Sequence, residues 1–450
     1  MPRLSTLLVF LASVIGVATS SVPAEDTLRV ATFQADVTPP LGSLLYTGPI
    51  ETIEHPLLAK GIVIEAGGKR YVLCAVDWCV MLNTTHSMFR SKVAAAAQTD
   101  VLNVAVHCVH QHTAPPHDAG AQELLQKQKN PPPYRNLKDL EVVTDCLAAE
   151  VKKSLDRLQP FDTVGTGEAK VDRIAAIRRV FTDDGTLLTR WSACTDPELR
   201  AMPEGPIDPM LKTVTLAQGE KPIVRMHFYA THPQTYYRDG RTSYDFPGMA
   251  RQRLQEEEGV FQIYFTGCAG DVTAGKYNDG TPHARAELAD RLLAGMKASA
   301  ESTRLVPVDK IAWRSVPLQL VPRTDGDRDP EKNRATLEDP QADPEARIQA
   351  AWVLSCIARL AEPMDVSCLQ IGPARILYLP GEPMVAFQHF AQQVLPDTFV
   401  AVAGYGLAST GYICTEEAFK QGGYEPSASN VVPESEKALK EAIQEALETD

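Results

Sequence analysis

Residues 71–109 read YVLCAVDWCVMLNTTHSMFRSKVAAAAQTDVLNVAVHCV, and this stretch decides the fold class. Residues 71–77 form an apolar run of strand type. Residues 86–98, rich in Ala, Lys and Met, fit a helix, and residues 102–109 fit a buried strand. Strand, helix and strand in succession predict an α/β protein with mixed β-sheets flanked by helices. Upstream, residues 28–36 alternate like a strand and stop at Thr38-Pro39-Pro40. Residues 61–65 are joined to 71–77 through Gly67-Gly68, which predicts a hairpin.

Downstream, helices are expected at 136–158, 246–258, 384–394 and 434–448. Strands are expected at 163–169, 210–216, 223–230 and 261–265, as a pair within 368–379 around Gly372-Pro373, and at 398–403. Residues 113–137 contain Pro115-Pro116 and Pro131-Pro132-Pro133 without a clear period, and are read as a long surface excursion of the kind that forms lids or binding loops. The charged stretch 323–347 is read as a solvated connection with helical turns. No internal repeat and no dividing linker is evident.

Composition narrows the class of protein. Of 450 residues, 44% are hydrophobic and 22% charged, a globular balance that argues against a disordered or coiled-coil chain. With 44 Lys+Arg against 57 Asp+Glu, the net charge of −13 gives no electrostatic footprint for nucleic acid. Nine cysteines without a CxxC pair give no zinc-ribbon or thioredoxin-like pattern, and read as small buried residues. At the N-terminus, Arg3 precedes a short apolar run over 4–17, below the ~20 residues a spanning helix needs. This predicts a signal peptide over 1–24, cleaved after Ser20 or Ala24, and an exported chain, periplasmic or extracellular. Asn83-Thr84-Thr85 is a glycosylation acceptor pattern where the host glycosylates, and otherwise a polar turn.

Chemistry-bearing residues gather at strand ends. His110 and His112 leave the strand 103–109, where period-2 geometry would point both to one side, about 7 Å apart. They suit one metal or one substrate; the alternative is two polar residues at a strand exit, each satisfied by backbone or water. His232 ends a second apolar strand, with Pro233 holding it extended. Glu382 stands in Pro380-Gly381-Glu382-Pro383, opening a helix, where interaction with the helix dipole is the structural alternative. Two histidines and a carboxylate on three strand ends suit zinc. Two glycine-rich loops, 265–273 and 404–412, also follow strands. Neither is a P-loop or a nucleophile elbow.

The order of these segments resembles the neutral/alkaline ceramidase family: Ala35-Asp36-Val37-Thr38-Pro39-Pro40, His110-Gln111-His112-Thr113, Ala230-Thr231-His232, Gly270-Asp271-Val272-Thr273, Pro380-Gly381-Glu382, and Gly411-Tyr412 with Tyr424-Glu425. The resemblance spans about residues 28 to 430. It implies a single large zinc-hydrolase domain over 25–450 with one Zn2+ per chain, held by His110, His232, Glu382 and Tyr412 at strand ends. It implies that His112 is the catalytic base, that Tyr424 stabilises the oxyanion, and that Arg178, or its neighbour Arg179, orients the substrate. The substrate implied is an acylated amide or lipid of the ceramide type, met at a membrane surface.

Three departures stand out. Thr273 replaces the family's serine, a nucleophile or substrate contact there; it keeps a hydroxyl, and the resemblance implies that it positions the substrate or contacts the oxyanion. Ala114-Pro115-Pro116-His117 replaces its glycine-rich loop. Its C-terminal immunoglobulin-like domain is not expected, because only about 25 residues follow Glu425. A zinc deacylase or esterase acting on another acylated polar compound, and a non-catalytic binding protein on the same scaffold, are the alternatives.

Overall fold

The computed structural model describes residues 27–45, 48–236 and 240–448; the expected signal peptide lies outside them. Three sheets organise the chain, and they share one topology that the sequence does not display. In the first, Arg29–Asp36 pairs antiparallel with Leu58–Ala66, which pairs antiparallel with Lys69–Val76, which pairs parallel with Val104–Cys108. Thr163–Lys170, Met210–Gln218, Lys221–Tyr229 and Phe261–Thr266 repeat this order of antiparallel, antiparallel and parallel pairs. Ile311–Leu318, Met364–Ile371, Ala374–Tyr378 and Phe399–Ala403 repeat it again.

In each unit a crossover helix links the third and fourth strands: Asn83–Ala97, Asp245–Glu258 and Val385–Val394. A parallel pair requires such a crossover, because the chain must return to the same end of the sheet. A second helix then packs against the unit's first strand: Leu137–Ser154, Pro282–Glu301 and Ser435–Leu447. The α/β expectation with flanking helices holds, and the reading of no internal repeat is corrected. What repeats is the pairing order of the strands, which needs only apolar alternation and no shared residues.

The fourth strands are edge strands of their sheets, and their ends meet at the centre. Tyr405 accepts from the Cys108 N–H (2.8 Å), Gly404 N–H donates to Thr266 (2.9 Å), and the Thr266 hydroxyl donates to the Val109 carbonyl (2.6 Å). These bonds close a ring through all three units and satisfy backbone groups that an open edge would leave bare.

Side chains on the crossover helices tie the units in a cycle. Arg251 of the second unit grips Asp77 of the first through two 2.9 Å bonds, both residues fully buried. Arg90 of the first holds Asp365 of the third at 2.6 and 2.7 Å. Gln388 of the third accepts from Cys268 N–H and donates to Asp208 in the second. One hydrophobic core runs through residues of all three units.

Two segments depart from the sequence reading. Residues 113–121 are almost wholly buried rather than a surface excursion: Pro116–Asp118 pairs parallel with Val80–Leu82, and Ala119–Gln126 is a helix capped by Asp118. The prolines suit a strand whose neighbours lie on one side only. The charged region contains two helices, Pro330–Glu338 and Pro344–Leu360, each begun by an Asp cap and a Pro in the first turn. Asn83 is buried, its amide bound to Asp118 and Ser355, so the acceptor pattern is not presented by the folded chain. Eight of the nine cysteines are buried and all are free thiols; Cys146 is exposed. No described helix is long and apolar enough to cross a membrane.

Four buried imidazoles make stability depend on pH. His86 bonds the Val106 carbonyl, His107 the Gly404 carbonyl, His117 the Thr85 hydroxyl, and His227 both Thr213 and Gln262. Burial pushes them down to about 3, 4, 3 and 4 respectively. The unfolded chain protonates first, near ~6.5, so the stability they contribute is complete above that value and is lost as pH falls toward 4. Denaturation at pH 7, 6 and 5 should show a decline of up to ~1.4 kcal/mol per histidine per pH unit below ~6.5. Arg251→Met, which leaves the Asp77 carboxylate buried and unpaired, should cost ~3–5 kcal/mol in urea unfolding.

Candidate metal centre

The second and third units each offer a side chain just beyond the third strand. His232 lies three residues past Tyr229, and Glu382 four past Tyr378. His110 comes from the loop after the first unit's fourth strand, which ends at Cys108. The pleat does not bring the histidine pair together as expected from period 2. The strand ends before them, and His110 takes φ +76°, a left-handed conformation that reverses the chain. The rings of His110 and His112 then meet edge to face at 5.0 Å, with Nε2 atoms 3.4 Å apart. Glu382 is carried by Gly381, whose φ of +67° a side chain would not tolerate, as a Cβ there would strike the Thr410 hydroxyl.

Both candidate imidazole ligands are oriented from behind. His110 Nδ1 donates to the Cys79 carbonyl (2.8 Å), and His232 Nδ1 to the Ala269 carbonyl (2.6 Å). Their Nε2 lone pairs are thereby directed at Glu382 Oε2, at 3.3 and 3.5 Å. Tyr405 stacks on His110, centroids 4.2 Å apart, and holds its hydroxyl 3.4 Å from His232 Nδ1. His232 Nε2 and Glu382 Oε2 are buried without a hydrogen-bond partner.

Such orphaned buried acceptors fit a cation. Bonds of ~2.0–2.1 Å to tetrahedral zinc imply a ligand–ligand edge of ~3.3–3.4 Å, close to the observed spacings. The three donor atoms lie within 4.8 Å of one another, and a second set, Cys79, His110 and His112, meets the same condition. Burial, reinforced by His110 and His232, drives His112 well below an ordinary imidazole.

The remaining expected residues surround this cluster unequally. Tyr412 pairs with Glu382 along a short parallel ladder, and its ring meets that of Tyr424 at 5.5 Å. Arg178 lies 5.3 Å from the Tyr412 ring and 4.9 Å from that of Tyr424, and its Nε donates to Glu425 at 2.8 Å. Arg179 turns to the other Glu425 oxygen and to Gln421. Thr273 is fully buried, bridged through its backbone to His232, and its hydroxyl accepts from Gly275 N–H.

A cavity of about 210 Å³ opens on His110, His112, Glu382, Tyr412 and Tyr424, and its lining also includes the apolar Val80, Leu82, Trp352, Val353 and Ala408 and the polar Arg328, Gln349 and Asn430. Thr273 is not among its lining residues. Sequence reading passed over Tyr405, Cys79 and Glu425. Tyr405 was accessible as the residue between Gly404 and Gly406, and Glu425 as the neighbour of Tyr424.

No family model matches the sequence, and no curated protein sequence does. Solved structures do. The structure described as ceramidase complexed with C2 aligns with TM-score 0.67 and 16% identity over 93% of this chain and 74% of that one. The neutral ceramidase from Pseudomonas aeruginosa aligns with TM-score 0.66 and 16% identity over 94% of this chain and 75% of that one. Metal uptake is the direct test of the centre. His232→Ala should abolish retention of zinc through dialysis, and Tyr405→Leu, which removes the ring behind His110, should weaken it ~10–100-fold in a chelator competition. The mixed α/β architecture is thus shared with neutral ceramidases, with the candidate metal cluster at the centre of the shared fold.

Proposed function

We propose that the chain is an exported zinc-dependent amidohydrolase of the neutral ceramidase type, cleaving the N-acyl amide of a ceramide-like lipid into a sphingoid base and a fatty acid. The observation that carries this reading is two imidazoles and a carboxylate at zinc-like spacing, next to a cavity lined in part by apolar side chains. In this proposal His110, His232, Glu382 and Tyr412 hold the ion. A zinc ion there supplies a Lewis acid for the acyl carbonyl and lowers the pKa of water.

The residues supply the rest. His112, kept neutral by burial and by its imidazole neighbours, accepts the proton from the attacking water and returns it to the departing amine. Arg178 keeps its charge in a buried position: burial opposes the charge, and Tyr412 and Glu425 restore it. Tyr424, which lines the cavity, provides a hydrogen-bond donor where negative charge develops on the acyl oxygen, and Arg178, outside that lining and 4.9 Å from the Tyr424 ring, adds positive charge beside it. Thr273 stabilises the strand that sets His232, and a direct contact of its hydroxyl with substrate would require the Gly275 bond to open. Val80, Leu82, Trp352 and Val353 take the acyl chain, whose burial contributes ~0.8 kcal/mol per CH₂. Export rests on the apolar N-terminal stretch alone.

The segment Ala114–Asp118, which supports the loop at Cys79 without lining the cavity, favours a second reading. In place of a glycine-rich loop stands a buried, proline-stiffened strand whose Pro115 carbonyl accepts from Cys79 N–H. A stiffer site of this kind suits a deacylase for a shorter acylated compound. Comparing a long-chain ceramide with short N-acyl amides and esters, on zinc-loaded protein, separates the two. Hydrolysis of the ceramide supports the first reading, and exclusive action on short substrates transfers the assignment to the second. Absence of turnover on every acyl substrate would leave a binding protein. His112→Ala should lower kcat ~10²–10⁴-fold while zinc content is retained.

A further inference from the structure

The three-unit architecture makes a prediction about Cys79. Beyond the third strand of the second unit stands His232, and beyond that of the third stands Glu382. The corresponding place in the first unit, three residues past Val76, is Cys79. Its sulfur lies within 4.8 Å of ligand atoms of His110 and His112, and it lines the same cavity as both histidines and Glu382. Its backbone is fixed at both ends, the N–H donating to Pro115 and the carbonyl accepting from His110 Nδ1.

We propose that Cys79, His110 and His112 form a second metal position, selective for a soft, thiophilic ion, monovalent copper or cadmium. Ligand softness separates the two sets. They differ in Cys79 and His112 against His232 and Glu382, and a thiolate favours soft ions where a carboxylate favours harder ones. On capture the metal–sulfur bond forms and the thiol proton passes to solvent; no electron is transferred.

His110 belongs to both sets. Its Nδ1 is committed to the Cys79 carbonyl, so only Nε2 can bind a metal, and the two positions exclude each other. A soft ion therefore removes His110 from the zinc set and occupies His112 as well, making the site a point of inhibition by thiophilic metals. The exclusion rests on the His110–His232–Glu382 assignment, whereas binding of sulfur does not.

The test uses the full chain carrying Cys146→Ser, which removes the exposed thiol, stripped of metal and titrated with cadmium. Thiolate-to-cadmium absorption in the ultraviolet and bound metal per chain are both read. The expected result is one absorbing equivalent per chain, lost in Cys79→Ser and in Cys79→Ala and kept in Glu382→Gln, with zinc released one for one when zinc-loaded protein takes up cadmium. Absence of the band from the parent, its persistence without Cys79, or its loss in Glu382→Gln overturns the second position. Zinc and cadmium bound together overturn the sharing of His110. None of these readouts uses substrate, so they stand or fall separately from amide hydrolysis.

Discussion

At the centre of the molecule three parallel strands from three sheets end side by side. Cys108 N–H binds Tyr405, Gly404 N–H binds Thr266, and the Thr266 hydroxyl binds Val109. Everything at the candidate metal centre hangs from this ring. His110 lies one residue beyond Val109. Tyr405, which flanks it, is one of the bonded residues, and His232 follows a strand paired in register with the one that ends at Thr266. The bonds are short-range and geometrically demanding, so the three loops beyond the strands inherit a fixed separation.

The ties between units work at a larger radius to the same end. Arg251 to Asp77, Arg90 to Asp365 and Gln388 to Cys268 each cross from a helix of one unit to a strand end or loop of another. An ion pair as deeply buried as Arg251–Asp77 gains little net energy over an apolar replacement, but it is costly to leave half made. Their effect here is on register: a slip of one unit against its neighbour would strand a buried charge. Cys79 lies two residues from Asp77, so the same restraint that holds the sheets also sets the loop that aims His110.

Much of the architecture was legible in the chain. The hairpin around Gly67-Gly68 and the Val385–Val394 helix follow from local pattern, and the structure has them within a few residues. The helix Pro282–Glu301 went unread although its signals are present: Thr281 caps it, Pro282 takes its first turn, and Ala284, Leu288, Leu292 and Met296 share a buried face. Of the excursion expected over 113–137, residues 127–136 are irregular and mostly exposed, but 113–126 form a buried strand and a helix, and the difference has a physical reason. Proline density speaks for irregular backbone, but it does not distinguish a solvated loop from a buried strand that needs bonds on one side only.

The candidate site divides along the same line. The sequence determined which side chains were available, since a histidine or glutamate past an apolar strand is a local fact, set by alternation and by the glycine or proline that ends it. Only the tertiary structure decided which of them share a point. Residues 110, 232 and 382 are separated by more than a hundred positions, and they meet because each follows a strand end of a like-folded unit whose edge is bonded to the next. The turn at His110 and the carbonyls of Cys79 and Ala269 that set its ring and that of His232 are likewise products of packing. They leave no mark on composition or period, because the groups involved are backbone atoms that every residue carries.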